Sequence, residues 1–143
     1  MNFKYRKLFL NSKSNSFPGQ KIKLRPIIPI RFNTPSGEFE YFVVIDSGSD
    51  CCLFSNSVGE KLGLDIKSGK EATFYGTSGI PQKAYFHKVS FKIGAKLHTC
   101  YVGFSYDIDD LAYGLLGQYG FFNKWIVKFD YKKENIELKE IKK

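Results

Sequence analysis

Apolar and polar positions alternate along much of this chain with a period of two, the spacing of a strand with one buried face. The clearest case sets Val89, Phe91 and Ile93 against Ser90 and Lys92. Residues 39–45 are aromatic and β-branched and read as a central strand. Ahead of them, residues 22–32 contain Pro26 and Pro29, which confine that stretch to an edge strand or a bent extended run. Asn33-Thr34-Pro35-Ser36-Gly37 supplies a turn. Strand character returns at residues 71–75 and 82–93 on either side of Gly76-Thr77-Ser78-Gly79, and Gly94-Ala95-Lys96 leads into a further strand at residues 97–104. Residues 126–130 and 135–138 form a final hairpin over a charged turn. The helix signal covers residues 53–62, with Ser55 as N-cap, Val58 and Leu62 on one face and Gly63 as C-cap. The pattern predicts an all-β fold with one or two short helices.

Composition sharpens this picture. A length of 143 residues, 43% of them hydrophobic, supports one good core. No apolar run approaches the roughly 18 residues of a membrane helix, and the N-terminus lacks a signal peptide's continuous apolar centre. Cys51, Cys52 and Cys100 have neither metal-site nor disulfide spacing and are expected as reduced thiols, so the expected setting is cytoplasmic, away from membranes.

The net charge of +8 is unevenly placed. Lys4, Arg6, Lys7, Lys13, Lys21, Lys23, Arg25 and Arg31 fall in the first 31 residues, which hold no acid, and the remainder is balanced. Residues 1–20 end in a polar, breaker-rich stretch and read as a basic flexible arm, with order beginning near Ile22. Residues 21–143 then form a single domain. The arm offers a surface to nucleic acid, an anionic surface or an acidic partner, although no nucleic-acid-binding motif accompanies it.

The candidate chemistry lies at the end of the central strand, in Asp46-Ser47-Gly48-Ser49. A carboxylate on a tight turn is positioned to take a proton from water if a second, protonated carboxyl polarises the bond to be cut. Two carboxyls about 3 Å apart share one proton, because both cannot ionise cheaply. The chain contains this motif once, so the pair requires two copies of the chain. Gly48 permits the turn, the Ser47 hydroxyl is suited to lock two such loops together, and the Ser49 hydroxyl to orient the outer oxygen of Asp46. Two later features fit. Phe74-Tyr75-Gly76-Thr77-Ser78-Gly79-Ile80 is a hairpin tip able to close over a bound peptide. Leu115-Leu116-Gly117 is apolar and small enough to pass beneath the turn, ahead of a short helix.

Together these segments, and the run from Leu115 to Asp130, resemble the retropepsin-type aspartic proteases, in particular the prokaryotic single-domain members. The resemblance covers roughly residues 22–140. It implies a closed acid-protease β-barrel, a homodimer acting on peptide or protein substrates, and no cofactor or metal. It casts Asp46 as the catalytic residue and Asp50, Tyr75, Gly76, Thr77, Ser78 and Gly79 as substrate-binding. Leu115, Leu116 and Gly117 become structural supports of the site. In viral members an Asp at the place of Asp50 pairs with an Arg after the apolar-apolar-Gly motif; here that residue is Gln118.

Other chemistries find less support. A cysteine hydrolase would draw on Cys51 or Cys52 with His87 or His98, but both His fall in strand-like segments without a supporting motif. There is no Gly-x-Ser-x-Gly elbow. Asp107, Asp109 and Asp110 lack the Gly and terminal Glu of a calcium loop and read as solvated. The alternative function is a catalytically silent protease-like module for dimerisation or peptide binding, localised by the basic arm.

Overall fold

Strand β5 (Gly37–Ile45) runs between β4 (Ile27–Thr34), antiparallel to it, and β10 (Gly114–Leu116), parallel to it. The computed structural model describes residues 1–12, 15–109 and 112–142. From β10 the sheet continues through β6 (Cys52–Ser55), β9 (Lys96–Ser105) and β8 (Pro81–Ile93). Strand β8 then returns to β4 through Ile30↔Ile93 and Arg31↔Lys92, which closes a six-stranded barrel. Strand β7 (Lys70–Tyr75) pairs with β8 and projects as a hairpin. The fold is all-β, as the alternation predicts, and it closes into the barrel that the resemblance implies.

The period-two pattern sorts side chains as expected: Val89, Phe91 and Ile93 are buried while Ser90 is exposed. Phe54 lies at the centre of the barrel, with the rings of Phe32, Phe91 and Phe104 about it at centroid distances of 6.2, 5.9 and 6.1 Å. Full burial of side chains of this size stabilises by about 1.5–3 kcal/mol each.

Pro26 and Pro29 do not exile their segment to an edge. Pro26 separates β3 (Ile22–Arg25) from β4, and Pro29 sits inside a barrel strand opposite Phe42. Ile45 N–H donates to Pro26 O at 2.9 Å, and the antiparallel alternation then turns the donorless nitrogen of Pro29 away from β5. On that other side the β4–β8 pairing involves only Ile30 and Arg31.

Two further expectations are corrected. Residues 52–55 are strand rather than helix, and α1 (Asn56–Lys61) begins after Ser55, whose Oγ accepts the Ser57 N–H at 3.3 Å. Gly63, at φ 75°, follows the helix end. After Gly117 the chain makes successive turns through Lys124, not a helix, with Phe121 and Trp125 driven into the core.

The flexible arm expected over residues 1–20 is also at odds with the structure. β1 (Asn2–Lys4) pairs with β12 (Asn135–Glu140), itself paired with β11 (Trp125–Asp130), and β2 (Arg6–Phe9) pairs with β3. Phe3 and Tyr5 pack against the core. The β12 partners of β1 lie over a hundred residues away, so no local pattern announces that pairing.

Candidate active site

Asp46 follows the last residue of β5 and is half-buried. Its N–H donates to Leu116 O at 3.0 Å, which ties the turn to the strand beside it. Its own Oδ1 accepts the Gly48 N–H at 2.9 Å, and its carbonyl accepts the Ser49 N–H at 3.2 Å. The carboxylate is therefore oriented by the backbone of its own loop.

Leu115-Leu116-Gly117 passes directly beneath this loop, as expected. Gln118 N–H donates to Ser49 O at 2.8 Å, and Tyr119 N–H to Asp50 O at 2.9 Å. A Cβ on Gly117 would lie 2.2 Å from Cys51 O and 2.6 Å from Ser49 O, so only glycine allows this approach. Gln118 adds a side-chain bond from Nε2 to Ser47 O at 2.9 Å. Gln118 is thus a fastener of the Asp46 loop. Asp50 is exposed, and among the described residues its carboxylate has no ion pair.

Ser49 departs from expectation. Its hydroxyl donates to Cys51 O at 2.8 Å rather than turning to Asp46, because a serine readily bonds the backbone two residues ahead. Ser47 is exposed beside Asp46.

Opposite the loop, the β7–β8 hairpin carries the expected tip. Gly79 N–H closes it on Gly76 O at 3.0 Å, with Gly79 at φ 71°. Tyr75 and Ile80 flank it, 68% and 64% exposed. Between hairpin and loop lies a cleft of about 520 Å³, the size of a small-ligand or peptide-residue site, bordered by Asp46, Gly48, Ser49, Tyr75, Gly76 and Thr77. Leu53, Phe74, Gln82, Ile108 and Leu115 complete its walls. A second cleft joins Asp50 and Cys51 to Leu53, Ala72 and Phe86. Ser78 and Gly79 border neither cleft, and Leu116 and Gly117 are buried behind the loop. Gln82, Phe86 and Ile108 escaped the sequence reading; for the first two, the hairpin alternation that places Phe74 beside Gln82 was the available signal.

The alternative nucleophiles are poorly served. Burial, then Cys52 and Asp50, push the Cys51 thiol up to about 11, so it stays protonated at neutral pH. His87 Nε2 meets Ile66 O at 2.8 Å. His98 is buried; Trp125 Nε1–H donates to its Nδ1 at 3.1 Å, which leaves Nε2–H to donate to Gly120 O at 2.8 Å. Burial holds its pKa below the ordinary histidine value, so it is a neutral core residue. Asp107 Oδ2 accepts the Lys83 N–H at 3.0 Å, while Asp110 lies outside the described residues.

No protein-family model matches this chain, and no curated protein matches it. Among solved structures it is similar to a retropepsin-like aspartic protease from Rickettsia conorii, with a TM-score of 0.52 and 21% identity over 79% of this chain and 98% of that one. It is also similar to EIAV protease complexed with the inhibitor HBY-793, with a TM-score of 0.49 and 16% identity over 66% of this chain and 82% of that one. The Rickettsia likeness shows that this barrel has the retropepsin-like fold.

Proposed function

We propose that this chain is an aspartic endopeptidase, active as a homodimer, in which Asp46 and its counterpart from a second copy activate a water against a peptide bond. The observation that carries the proposal is the setting of Asp46: half-buried, oriented by Gly48 N–H, and open to a peptide-sized cleft beneath a glycine-bearing hairpin. One chain supplies one such carboxylate, and the shared-proton mechanism needs two. The unprotonated carboxylate takes the proton of the attacking water, and the protonated one donates to the carbonyl oxygen.

Asp50, Tyr75, Gly76 and Thr77 hold the substrate backbone in this reading, with Ser78 and Gly79 forming the closing tip. Leu53, Phe74, Ile108 and Leu115 favour apolar or aromatic side chains beside the cut bond. The three free thiols fit a reducing, cytoplasmic setting.

The test is peptide-library cleavage read by mass spectrometry for wild type and Asp46→Asn, with sedimentation measured on both. Cuts made by wild type alone, from a dimer, support the proposal. Cuts by both overturn the role of Asp46. A dimer that binds peptides and cuts none is the catalytically silent module.

A further inference from the structure

Two clefts meet at Gly48 and Ser49, which border both of them. One is bordered by Asp46, and the other leads away from it past Asp50. This second cleft, of about 350 Å³, has apolar walls in Leu53, Ala72, Phe74 and Phe86. Among the described residues, Asp50 is the one acid on its border, and no lysine or arginine borders either cleft. The basic excess of the chain, 22 Lys and Arg against 14 Asp and Glu, therefore lies elsewhere and leaves the two clefts with carboxylates only.

Asp50 is held by its main chain, whose carbonyl accepts the Tyr119 N–H at 2.9 Å. Among the described residues, no ion pair or hydrogen bond engages its side chain. The nearby Gln118 carries no charge and directs its amide to Ser47 O. A substrate filling the cleft would strip water from the Asp50 carboxylate, which costs free energy unless the substrate supplies a partner. A cation on an apolar stem meets both demands, because the stem packs on the walls while the head reaches the carboxylate. An apolar side chain would cover the walls and leave Asp50 unpaired, and an acidic one would set two like charges together. A carboxylate has acceptor sites enough for a substrate N–H and a side-chain cation at once, so a backbone contact at Asp50 does not compete.

Building on the peptidase reading of Asp46, we propose that this second cleft selects a basic residue of the substrate, lysine or arginine. Its stem lies against Leu53, Ala72, Phe74 and Phe86, and its charged head sits on the Asp50 carboxylate. The Asp46 cleft, bordered by Ile108 and Leu115 instead, takes the apolar side chain of the same peptide. The substrates are then peptides that carry a cation at a fixed place beside an apolar residue.

The experiment uses short peptides of Ala, Phe and Leu in which each position in turn carries Lys, norleucine or Glu. Norleucine keeps the stem of lysine and lacks its charge. Cleavage is measured with wild type and Asp50→Asn, and binding of labelled peptides by anisotropy with Asp46→Asn, alone and combined with Asp50→Asn. Asp50 is exposed and its substitution leaves the carbonyl bond to Tyr119 in place, so the variants fold. At one fixed distance from the cut, wild type prefers Lys over norleucine about five- to tenfold in kcat/KM, the scale of a charge-assisted contact at a partly open site. Asp50→Asn removes that preference. Cleavage with no preferred Lys position overturns the proposal, as does a Lys preference that survives Asp50→Asn. No cleavage by wild type counts against the peptidase reading, and the binding comparison then decides this one separately. Tighter binding of a Lys peptide than of its norleucine counterpart, lost when Asp50→Asn is added, supports the pocket. Equal binding of the two, or no binding of either, overturns it.

Discussion

Gly117 lies so close beneath the Asp46 loop that a Cβ placed on it would come within 2.2 Å of the carbonyl oxygen of Cys51. That contact is backbone against backbone, so no side chain can rotate away to relieve it. Gly117→Ala is expected to force the loop and the strand apart, at about 1–3 kcal/mol for overpacking. The melting temperature should fall by several degrees, and any activity that depends on the position of Asp46 should fall with it. Calorimetry and a peptide assay on the same preparation check both. An alanine variant with wild-type stability would show that the loop has room this geometry denies.

The pH profile follows from the proposed dyad. With one shared proton, activity should rise and then fall between about pH 4 and 8, lost on the alkaline side once both carboxyls are ionised. Asp46→Asn should abolish cleavage without lowering thermal stability, because the change removes the repulsion between two facing carboxylates. Activity that stays flat through alkaline pH would count against two carboxyls sharing a proton.

Gln118 offers a subtler handle. Its Nε2–H bond to Ser47 O is one of four hydrogen bonds joining residues 46–50 to residues 116–119, so Gln118→Ala should cost about 0.5–1.5 kcal/mol in stability. The larger effect should fall on kcat rather than KM, since loosening Ser47 moves the reacting carboxylate more than the cleft walls. Gln118→Met, which keeps the length and removes the donor, should behave like the alanine variant. If it matches wild type in kcat, the hydrogen bond has no positioning role.

His98 makes stability depend on mild acid. Its folded pKa lies below the ordinary 6.5, chiefly through burial, whereas the unfolded chain takes up its proton near that value. As pH falls below about 6.5 the unfolded state therefore binds more protons than the folded state, and stability is lost until His98 itself protonates. Thermal melts from pH 8 down to about 5 should show this decline in wild type, and His98→Gln should flatten it. A decline of equal size in the variant would assign the effect to carboxylates instead.

The cleft and the loop were legible in the sequence to different depths. Asp46, Gly48 and the Gly76 to Gly79 tip could be read because turn chemistry is local: each depends on which residues adjoin a strand end. The placement of Leu116 under Asp46 was also readable, since two apolar residues and a glycine admit few other neighbours. The partner of the Ser49 hydroxyl is not legible, because Asp46 and the carbonyl of Cys51 compete for it and the fold decides which lies within reach. Ile108 on the cleft wall carried no signal, being an apolar residue in an acidic loop.

Patterns that repeat at short range specify part of this protein without help from distant residues. The alternation of Val89, Phe91 and Ile93 made the barrel strands, and the residues beside Asp46 made its turn, because side-chain direction and φ/ψ preference are settled within a few residues. Tertiary structure alone decided the rest. Phe3 found Ile136 across the whole chain, Gln118 found Ser47, and β2 paired with β3. Those contacts depend on how separate segments come together in space and so leave no mark on any single stretch of sequence.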